Sequence, residues 1–332
     1  MSARDVAVFL GPTLPLATAR RTLKATYLPP ARQGDVFRVL PDRPRVIVLI
    51  DGVFEAVPSV WHHELRAALA SGVHVIGASS MGALRAAELH EEGMLPVGRI
   101  AGEYVSGARI DDADVVLLHG DSDSGFQALT VPLVNVEATV AEAKRRRVLS
   151  IREARVLIET ARALFFKRRT WRAIVAVLPE ARRAPVLSSL RENLVDQKAL
   201  DAVQALKVAQ QLLRKPARPS TPLPLSSFVR RKRLLDAHGP ELERLQRLPE
   251  ADALAKQGLR RLLLASFAKQ AGLSVAVTAH RHGAVDEALS DAEVETLEAL
   301  VLSAPERFVP DGPTWLEGLA LEAKLSGRWR GR

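Results

Sequence analysis

The sequence predicts an α/β protein with a doubly wound, mostly parallel sheet in its N-terminal half, followed by an α-helical C-terminal region. Three observations predict this class: short apolar runs rich in β-branched residues, helical segments between them, and a change of pattern near residue 135. At 332 residues, 47% of them hydrophobic and 26% charged, the chain has the composition of a globular protein with one large domain or two ordinary ones.

Four continuous apolar runs each predict a strand that is buried on both faces, at residues 5–10, 45–50, 73–78 and 114–119. Residues 59–72 and 81–93 have helical spacing between these runs, and each segment ends at a glycine, the residue favoured just after a helix. Strands that alternate with helices indicate a parallel sheet.

The pattern after residue 135 is that of amphipathic helices, with apolar residues at i, i+3 and i+4. Helices are expected within residues 134–147, 150–166, 170–183, 192–214 and 251–272, with a proline-rich segment at 215–228. We therefore expect an α/β core domain at residues 1–140 and a basic α-helical region at residues 141–332.

Charge is divided unevenly between these regions. Residues 1–140 hold 12 Lys and Arg against 16 Asp and Glu, and residues 141–332 hold 35 against 22, so the net charges are −4 and +13. The basic clusters at 144–147, 167–169 and 230–233 have few aromatic neighbours for base stacking, which argues against nucleic acid. Solvated helix faces, with some steering of acidic partners, are the simpler interpretation.

Several classes of protein are excluded by what the sequence lacks. It has no cysteine, which excludes disulfides, thiolate catalysis and a persulfide relay within this chain. No apolar run approaches the ~18 residues of a membrane span, and Asp5, Pro12 and Pro15 argue against a signal peptide, so we expect a cytoplasmic protein. The spacing of His280 and His282 is most simply a chance surface pair, and no metal site is expected.

Polar residues follow the predicted strands, where ligands bind in parallel sheets. These positions are Gly11-Pro12, Asp51-Gly52, Ser79-Ser80 and His119-Gly120. Each has a structural explanation on its own, because a serine here often caps a helix and Asp-Gly often forms a turn. Together they bring a hydroxyl, a carboxylate and an imidazole to one edge, which favours a catalytic site.

Six segments in order resemble the TfuA-like family over about residues 6–140, among them "GASSMGALRAAELHEEGM" at 77–94. The others lie at 8–15, 27–35, 50–65, 111–121 and 133–140. The resemblance implies work beside a YcaO enzyme, which uses ATP to activate a peptide backbone amide for attack by sulfide. The implied task is to supply that sulfide by hydrolysing the C-terminal thiocarboxylate of a ubiquitin-like sulfur-carrier protein.

The same resemblance implies the partners and cofactors. The partners would be the YcaO enzyme, the sulfur carrier and a ribosomally made precursor peptide, with no membrane. No cofactor is expected in this chain, because ATP and Mg are used by the YcaO partner. The resemblance weakens after about residue 170 and implies nothing for the C-terminal helices.

The string "ASSMGA" also resembles the nucleophile segment of Clp-type serine proteases, which selects Ser80 as the nucleophile. We expect the helix beginning near Met81 to stabilise an oxyanion. His119 is the first candidate for the base and His62, with its neighbour His63, the second. The candidate orienting acids are Asp51, Glu64, Asp111 and Asp112, and the predicted substrate-binding residues are Gly11, Gly52, Gly77, Ser79, Met81, Gly82, His63 and Glu64.

Two other functions are compatible with parts of this pattern. In a non-enzymatic adaptor, the segment Gly77–Gly82 would be an anion cradle at a helix N-terminus that holds a carboxylate or phosphate, and the protein would only bring carrier and YcaO together. A nucleotide-binding α/β protein would need a P-loop or a dinucleotide-binding glycine pattern, and the sequence has neither.

Overall fold

A computed structural model describes residues 2–55, 57–120, 125–216, 219–220, 227–270 and 312–330. The chain divides into two compact units, Met1–Leu223 and Pro224–Arg332. The strands are β1 Val6–Phe9, β2 Thr26–Leu28, β3 Val46–Leu49, β4 His74–Ala78 and β5 Leu95–Val97. The helices of the first unit are α1 Leu16–Thr22, α2 Asp35–Val39, α3 His62–Ala70, α4 Met81–Leu89, α5 Arg99–Val105, α6 Leu133–Arg145, α7 Ile151–Ala163, α8 Trp171–Val175, α9 Glu180–Glu192 and α10 Gln197–Leu212.

The five strands form one parallel sheet in the order β2-β1-β3-β4-β5. The chain moves outward from β1 to β2 and then returns to the other side of β1 to form β3. The predicted α/β class and the strands expected at 5–10, 45–50 and 73–78 are confirmed. Because the order reverses between β1 and β3, the loops that follow these two strands diverge, and such a crevice is where parallel sheets bind ligands.

The strand expected at 114–119 is wrong. Residues Asp112–Asp114 form a 3-10 turn, and the following segment makes only an isolated antiparallel bridge between His119 and Ala128. Val115 is buried against α4, α5 and α6 rather than in the sheet, whose edge position is taken by β5. A short apolar run thus indicates burial without fixing the kind of element.

Alternate residues of each strand face opposite layers of helices. Val6, Val46 and Ile76 point to the layer that contains α1 and α10, and Phe9 and Leu49 point to the layer that contains α3 and α4. In α10 the buried apolar residues recur at helical spacing and pack on the first of these faces, at Ala202, Ala205, Leu206 and Ala209. The helix α10 therefore belongs to the sheet's own core.

The helices predicted at 59–72, 81–93, 134–147, 150–166 and 192–214 are present, as is the described part of the one predicted at 251–272. The single helix predicted at 170–183 is wrong: α8 ends at Val175 and α9 begins at Glu180, because Pro179 disfavours helical backbone in the residue before it. Gly72 and Gly93 follow α3 and α4 with φ angles of 82° and 101°, the left-handed conformation that favours glycine. Helices α6 to α9 enclose an apolar cluster of their own, and α7 begins with a capping box formed by Ser150 and Glu153.

The second unit contains α11 Ser227–Gln246, α12 Ala251–Gln270 and a further helix at Gly312–Leu325. The last two helices approach closely, because a Cβ atom on Gly258 would lie 1.9 Å from the carbonyl oxygen of Gly318. Most of the predicted proline-rich segment and the pair His280 and His282 lie outside the described residues. No helix within the described ranges combines the length and apolar character that crossing a bilayer requires.

Candidate functional site

A cavity of about 460 Å³ opens at the carboxyl edge of the sheet. The loops after β1, β3 and β4 supply part of its wall, and α10 supplies the side chain of Lys198. The residues lining it are Pro12, Asp51, Gly52, Val53, Phe54, Glu55, Ser80, Val116, Leu117, Leu118, His119, Phe166, Lys167 and Lys198. The structure thus brings together four of the predicted site residues, Asp51, Gly52, Ser80 and His119.

The turn between β4 and α4 places its second serine, the buried Ser80, in the wall of this cavity. Ser79 has a φ angle of 67°, in the left-handed region, and the backbone N–H of Ser80 donates to the Ala78 carbonyl at 2.8 Å. Ser80 occupies the N-cap position of α4, yet its side chain accepts no hydrogen bond from the helix. The alternative in which either serine caps the helix through its hydroxyl is wrong.

The side chain that contacts Ser80 is Lys198, which the sequence analysis did not identify. Its Nζ atom lies 3.1 Å from Ser80 Oγ and donates to the Val115 carbonyl at 2.8 Å. Lys198 is 2% exposed. Burial lowers the pKa of its ammonium below the ordinary value of lysine, and the negative charge of Asp51 partly opposes that shift. In its neutral form, a lysine amine at this distance can accept the proton of a serine hydroxyl.

The backbone of Lys198 is fixed on both sides. Ser79 Oγ donates to the Lys198 carbonyl at 2.8 Å, and the Lys198 N–H donates to Asn135 Oδ1 at 3.2 Å. The first turn of α10 is also held by its N-cap residue Asp196, whose side chain accepts from the Ala199 N–H at 3.0 Å. These contacts fix the start of α10 against β4 and α6, and with it the position of the amine.

Asp51 is 1% exposed and holds the loop that follows β1. Its Oδ2 accepts from the backbone N–H groups of Gly11 and Thr13 at 2.8 and 3.1 Å, and its Oδ1 accepts from Thr13 Oγ1 at 2.6 Å. These three bonds join β1 to β3 at the crevice and keep Pro12 in the cavity wall. Asp51 thus fixes the loop after β1, and its negative charge opposes the lowering of the Lys198 pKa.

The first turn of α4 offers one backbone donor next to Ser80. The N–H groups of Gly82 and Ala83 donate to the carbonyls of Ile50 and Ser80, at 3.2 and 2.9 Å. Among the described residues, the N–H of Met81 has no hydrogen-bond partner. An unpaired N–H at a helix N-terminus can donate to an anionic oxygen bound beside it.

Four predicted substrate-binding glycines allow close packing around this edge. A Cβ atom on Gly82 would lie 1.8 Å from the Leu49 carbonyl oxygen, and one on Gly77 would lie 2.0 Å from the Gly82 carbonyl oxygen. Cβ atoms on Gly11 and Gly52 would lie 2.4 and 2.3 Å from neighbouring side chains. The glycines let α4 and the loops approach the strands, and contact with substrate stays a prediction for them.

The candidate histidines occupy different places. His119 lines the cavity, and its Nδ1 lies 2.6 Å from the carbonyl oxygen of Gly120. His62 Nε2 lies 2.8 Å from Glu88 Oε2 at the surface, and His63 packs edge-on against the ring of Trp61. Neither His62 nor His63 is among the residues lining the cavity. The role of a histidine as base stays a prediction.

The candidate acids other than Asp51 have local partners. Glu64 is fully buried and accepts from the backbone N–H groups of Gly34, Val36 and Trp61 at 2.7–3.0 Å. Burial raises the pKa of Glu64 to about 7, although these N–H groups oppose the shift.

Two further candidate acids lie outside the cavity wall. Asp111 accepts from the Ala113 N–H at 2.8 Å in the 3-10 turn, and burial raises the pKa of Asp112. No cluster of three metal-ligating side chains occurs within the described ranges. The orienting role of these acids stays a prediction.

Comparison with known proteins identifies one family. Residues 51–170 match the family model described as TfuA-like protein, which confirms the resemblance over that segment. No curated protein matches this chain. The matched segment contains Asp51, Ser80 and His119, and it ends before Lys198.

Proposed function

We propose that this chain, TfuA-like over residues 51–170, is a hydrolase that releases sulfide from the C-terminal thiocarboxylate of a ubiquitin-like sulfur carrier. The sulfide would serve a YcaO enzyme in ATP-dependent thioamidation of a peptide backbone. The observation that carries the proposal is the 3.1 Å approach of the buried Lys198 Nζ to Ser80 Oγ. The resemblance to the TfuA-like family suggests the thiocarboxylated carrier as substrate. The Lys198–Ser80 pair supplies a base and a nucleophile for its hydrolysis.

The first half of the reaction forms an ester. The neutral amine of Lys198 accepts the hydroxyl proton of Ser80 as Oγ attacks the thiocarboxylate carbonyl. The N–H of Met81 donates to the oxygen of the tetrahedral intermediate, which bears the developing negative charge. The carbon–sulfur bond then breaks, hydrosulfide leaves, and the carrier's C-terminal carbonyl remains bound to Ser80 Oγ.

The second half restores the enzyme. Lys198, having returned its proton to the leaving sulfur, accepts a proton from a water molecule that attacks the ester carbonyl. The carbon–oxygen bond to Ser80 breaks and the hydroxyl regains a proton from the ammonium. One thiocarboxylate and one water thus become one carboxylate and one hydrogen sulfide. Sulfide leaves the carrier directly, so this route needs no sulfur bound to the protein. It is therefore compatible with a chain that contains no cysteine.

The direct test measures sulfide released from purified thiocarboxylated carrier, without YcaO or ATP. Ser80→Ala is expected to lower release by up to about 10⁶-fold, the typical cost of losing the nucleophile of a serine hydrolase. Ser188→Ala is the matched control, since Ser188 lies on the exposed surface of α9 and bonds only to Glu192. Equal rates for the unmodified protein and Ser80→Ala would exclude the serine as nucleophile.

A non-enzymatic adaptor is the second candidate, and one observation favours it: the negative charge of Asp51 opposes the lowering of the Lys198 pKa. With Lys198 protonated, its ammonium, the Ser80 hydroxyl and the Met81 N–H form a cradle for a carboxylate. The adaptor predicts that Ser80→Ala weakens carrier binding and that the unmodified protein releases no sulfide.

A further inference from the structure

A second cavity, of about 390 Å³, adjoins the first. The two cavities share the wall formed by Pro12, Leu117 and Lys198. The rest of the second wall comes from residues 128–132 before α6, from the start of α8 and from the end of α9. The two cavities therefore adjoin at Lys198, the residue that contacts Ser80.

Two arginines without acidic partners line this second cavity. Arg172 and Arg191 are both exposed, and neither forms an ion pair within the described residues. By contrast, Arg182, on the same helix as Arg191, pairs with Glu153 at 2.8 Å. The cavity thus presents two guanidinium groups whose donors are available to a ligand.

The carboxylate in the same wall does not neutralise them. Asp196 Oδ1 accepts from Asn135 Nδ2 at 2.9 Å and from the Ala199 N–H at 3.0 Å. This carboxylate is directed to the start of α10. Lys198, the remaining ionisable side chain of the wall, is buried and directed to Ser80.

Both arginines lie in the last turn of a helix, Arg191 in α9 and Arg172 in the five-residue α8, where the helix dipole favours a positive charge. The dipole acts on the charge of a guanidinium and occupies none of its N–H donors, which stay available to a ligand.

Apolar side chains surround the two arginines. Leu129 is 56% exposed and Leu194 is 51% exposed, and Trp171 beside them is half-buried. Exposed leucines, a tryptophan and arginines are the composition of a surface that binds another protein chain.

We propose that the second cavity binds an acidic segment of the acyl donor that precedes its C-terminal acyl group. A carboxylate side chain of that segment bonds to Arg172 and Arg191, while the acyl end lies beside Ser80 in the first cavity. Arginine recognises a carboxylate through two parallel hydrogen bonds. An extended chain advances about 3.3 Å per residue, so a tail of a few residues joins neighbouring cavities. The identity of the acyl end rests on the proposed function.

The test uses three synthetic peptides that end in a C-terminal thioacid and carry glutamate, glutamine or lysine at the positions before it. We expect the acidic peptide to have about tenfold higher kcat/KM than the neutral one, mainly through KM, as one charge-assisted contact implies. Arg172→Glu and Arg191→Glu remove this preference and favour the lysine peptide. Arg152→Glu is the matched control, because Arg152 is the exposed second residue of α7 and lines neither cavity.

Binding of the same peptides to the Ser80→Ala variant, followed by fluorescence anisotropy, separates this inference from the proposed function. A preference for the acidic peptide that depends on Arg172 and Arg191 supports the subsite, even if no hydrolysis is seen. Equal hydrolysis and equal binding of all three peptides would overturn the subsite and leave the hydrolase intact. Failure of every peptide to bind would overturn it as well.

Discussion

The Nζ atom of Lys198 lies 3.1 Å from the Oγ atom of Ser80, although 118 residues separate the two in sequence. Ser80 follows β4 within the TfuA-like segment, and Lys198 belongs to α10 beyond its end. The packing of α10 on the sheet brings them together. Residues 51–170 alone therefore do not contain the amine that contacts Ser80.

Lys198→Met is expected to reduce sulfide release to nearly the rate of Ser80→Ala. Methionine fills a similar volume without a proton acceptor, and flexible methionine is well tolerated in cores. The double variant should be no slower than either single variant, because residues that act as a unit are not additive. Thermal unfolding of Lys198→Met checks that the fold is retained. An active, folded Lys198→Met would contradict the proposed base.

The pH dependence of kcat/KM provides a separate prediction. The base acts when neutral, so the rate should rise with pH through a pKa below the ordinary lysine value of 10.5, as burial of Lys198 requires. Asp51→Asn removes the negative charge that opposes this shift, and the rising limb should then move to lower pH. A limb unchanged by Asp51→Asn would show that Lys198 does not titrate in the reaction.

His119→Ala distinguishes the histidine predicted from the sequence from the lysine found in the structure. If Lys198 is the base, the rate should fall much less than the roughly 10²- to 10⁴-fold loss expected for a general base. His119 would then contribute only to the cavity wall and to its contact with the Gly120 carbonyl. Sulfide release and carrier binding should be measured together. A loss as large as that of Ser80→Ala would restore His119 as the base.

The sequence predicted the central sheet because three of its strands are short apolar runs rich in β-branched residues that alternate with helical segments. It did not predict β2 and β5, since strands of three residues carry too little pattern. Residues 114–119 have a strand-like composition but are buried against helices. Such burial depends on tertiary contacts that local sequence does not specify.

The sequence likewise predicted some residues of the candidate site and missed others. Ser80 and Asp51 were found because they directly follow strands, and every parallel strand ends at the same edge. Lys198 is separated from Ser80 by the helices α4 to α9. Its one local signal is that it lies on the apolar face of α10, four and seven residues before Ala202 and Ala205. A lysine in that stripe is either paired or chemically active.

Glu64→Gln should change how stability depends on pH. The folded pKa of Glu64 is about 7, above the ordinary 4.5, so the folded state retains a proton that the unfolded state releases. Its contribution to the free energy of unfolding, up to about 3 kcal/mol, is present at low pH and is lost as pH rises from about 4.5 to 7. Glutamine does not titrate, so the variant should lose that slope.

Denaturant unfolding at several pH values between 4 and 8 measures the slope for both proteins, as an order-of-magnitude test of linkage. Glu192→Gln, an exposed position on α9, is the control and should leave the slope unchanged. Parallel curves for the unmodified protein and Glu64→Gln would show that Glu64 titrates normally when folded.

Ser79→Ala and Ser79→Gly separate two roles of one residue. Ser79 holds α10 through its bond to the Lys198 carbonyl, and it does so with a φ angle of 67°. Alanine removes the hydrogen bond but keeps the left-handed strain, so it should destabilise the protein by about 1 kcal/mol. Glycine removes both the hydrogen bond and the left-handed strain, and relief of that strain, about 1 kcal/mol, should offset most of the loss in stability.

If the hydrogen bond of Ser79 positions the Lys198 amine, both variants should lower kcat similarly with little change in KM, whatever their stability. Thermal unfolding and sulfide release, measured on the same preparations, give the two readouts. A kcat that follows stability instead, lower for alanine than for glycine, would assign Ser79 to the fold alone.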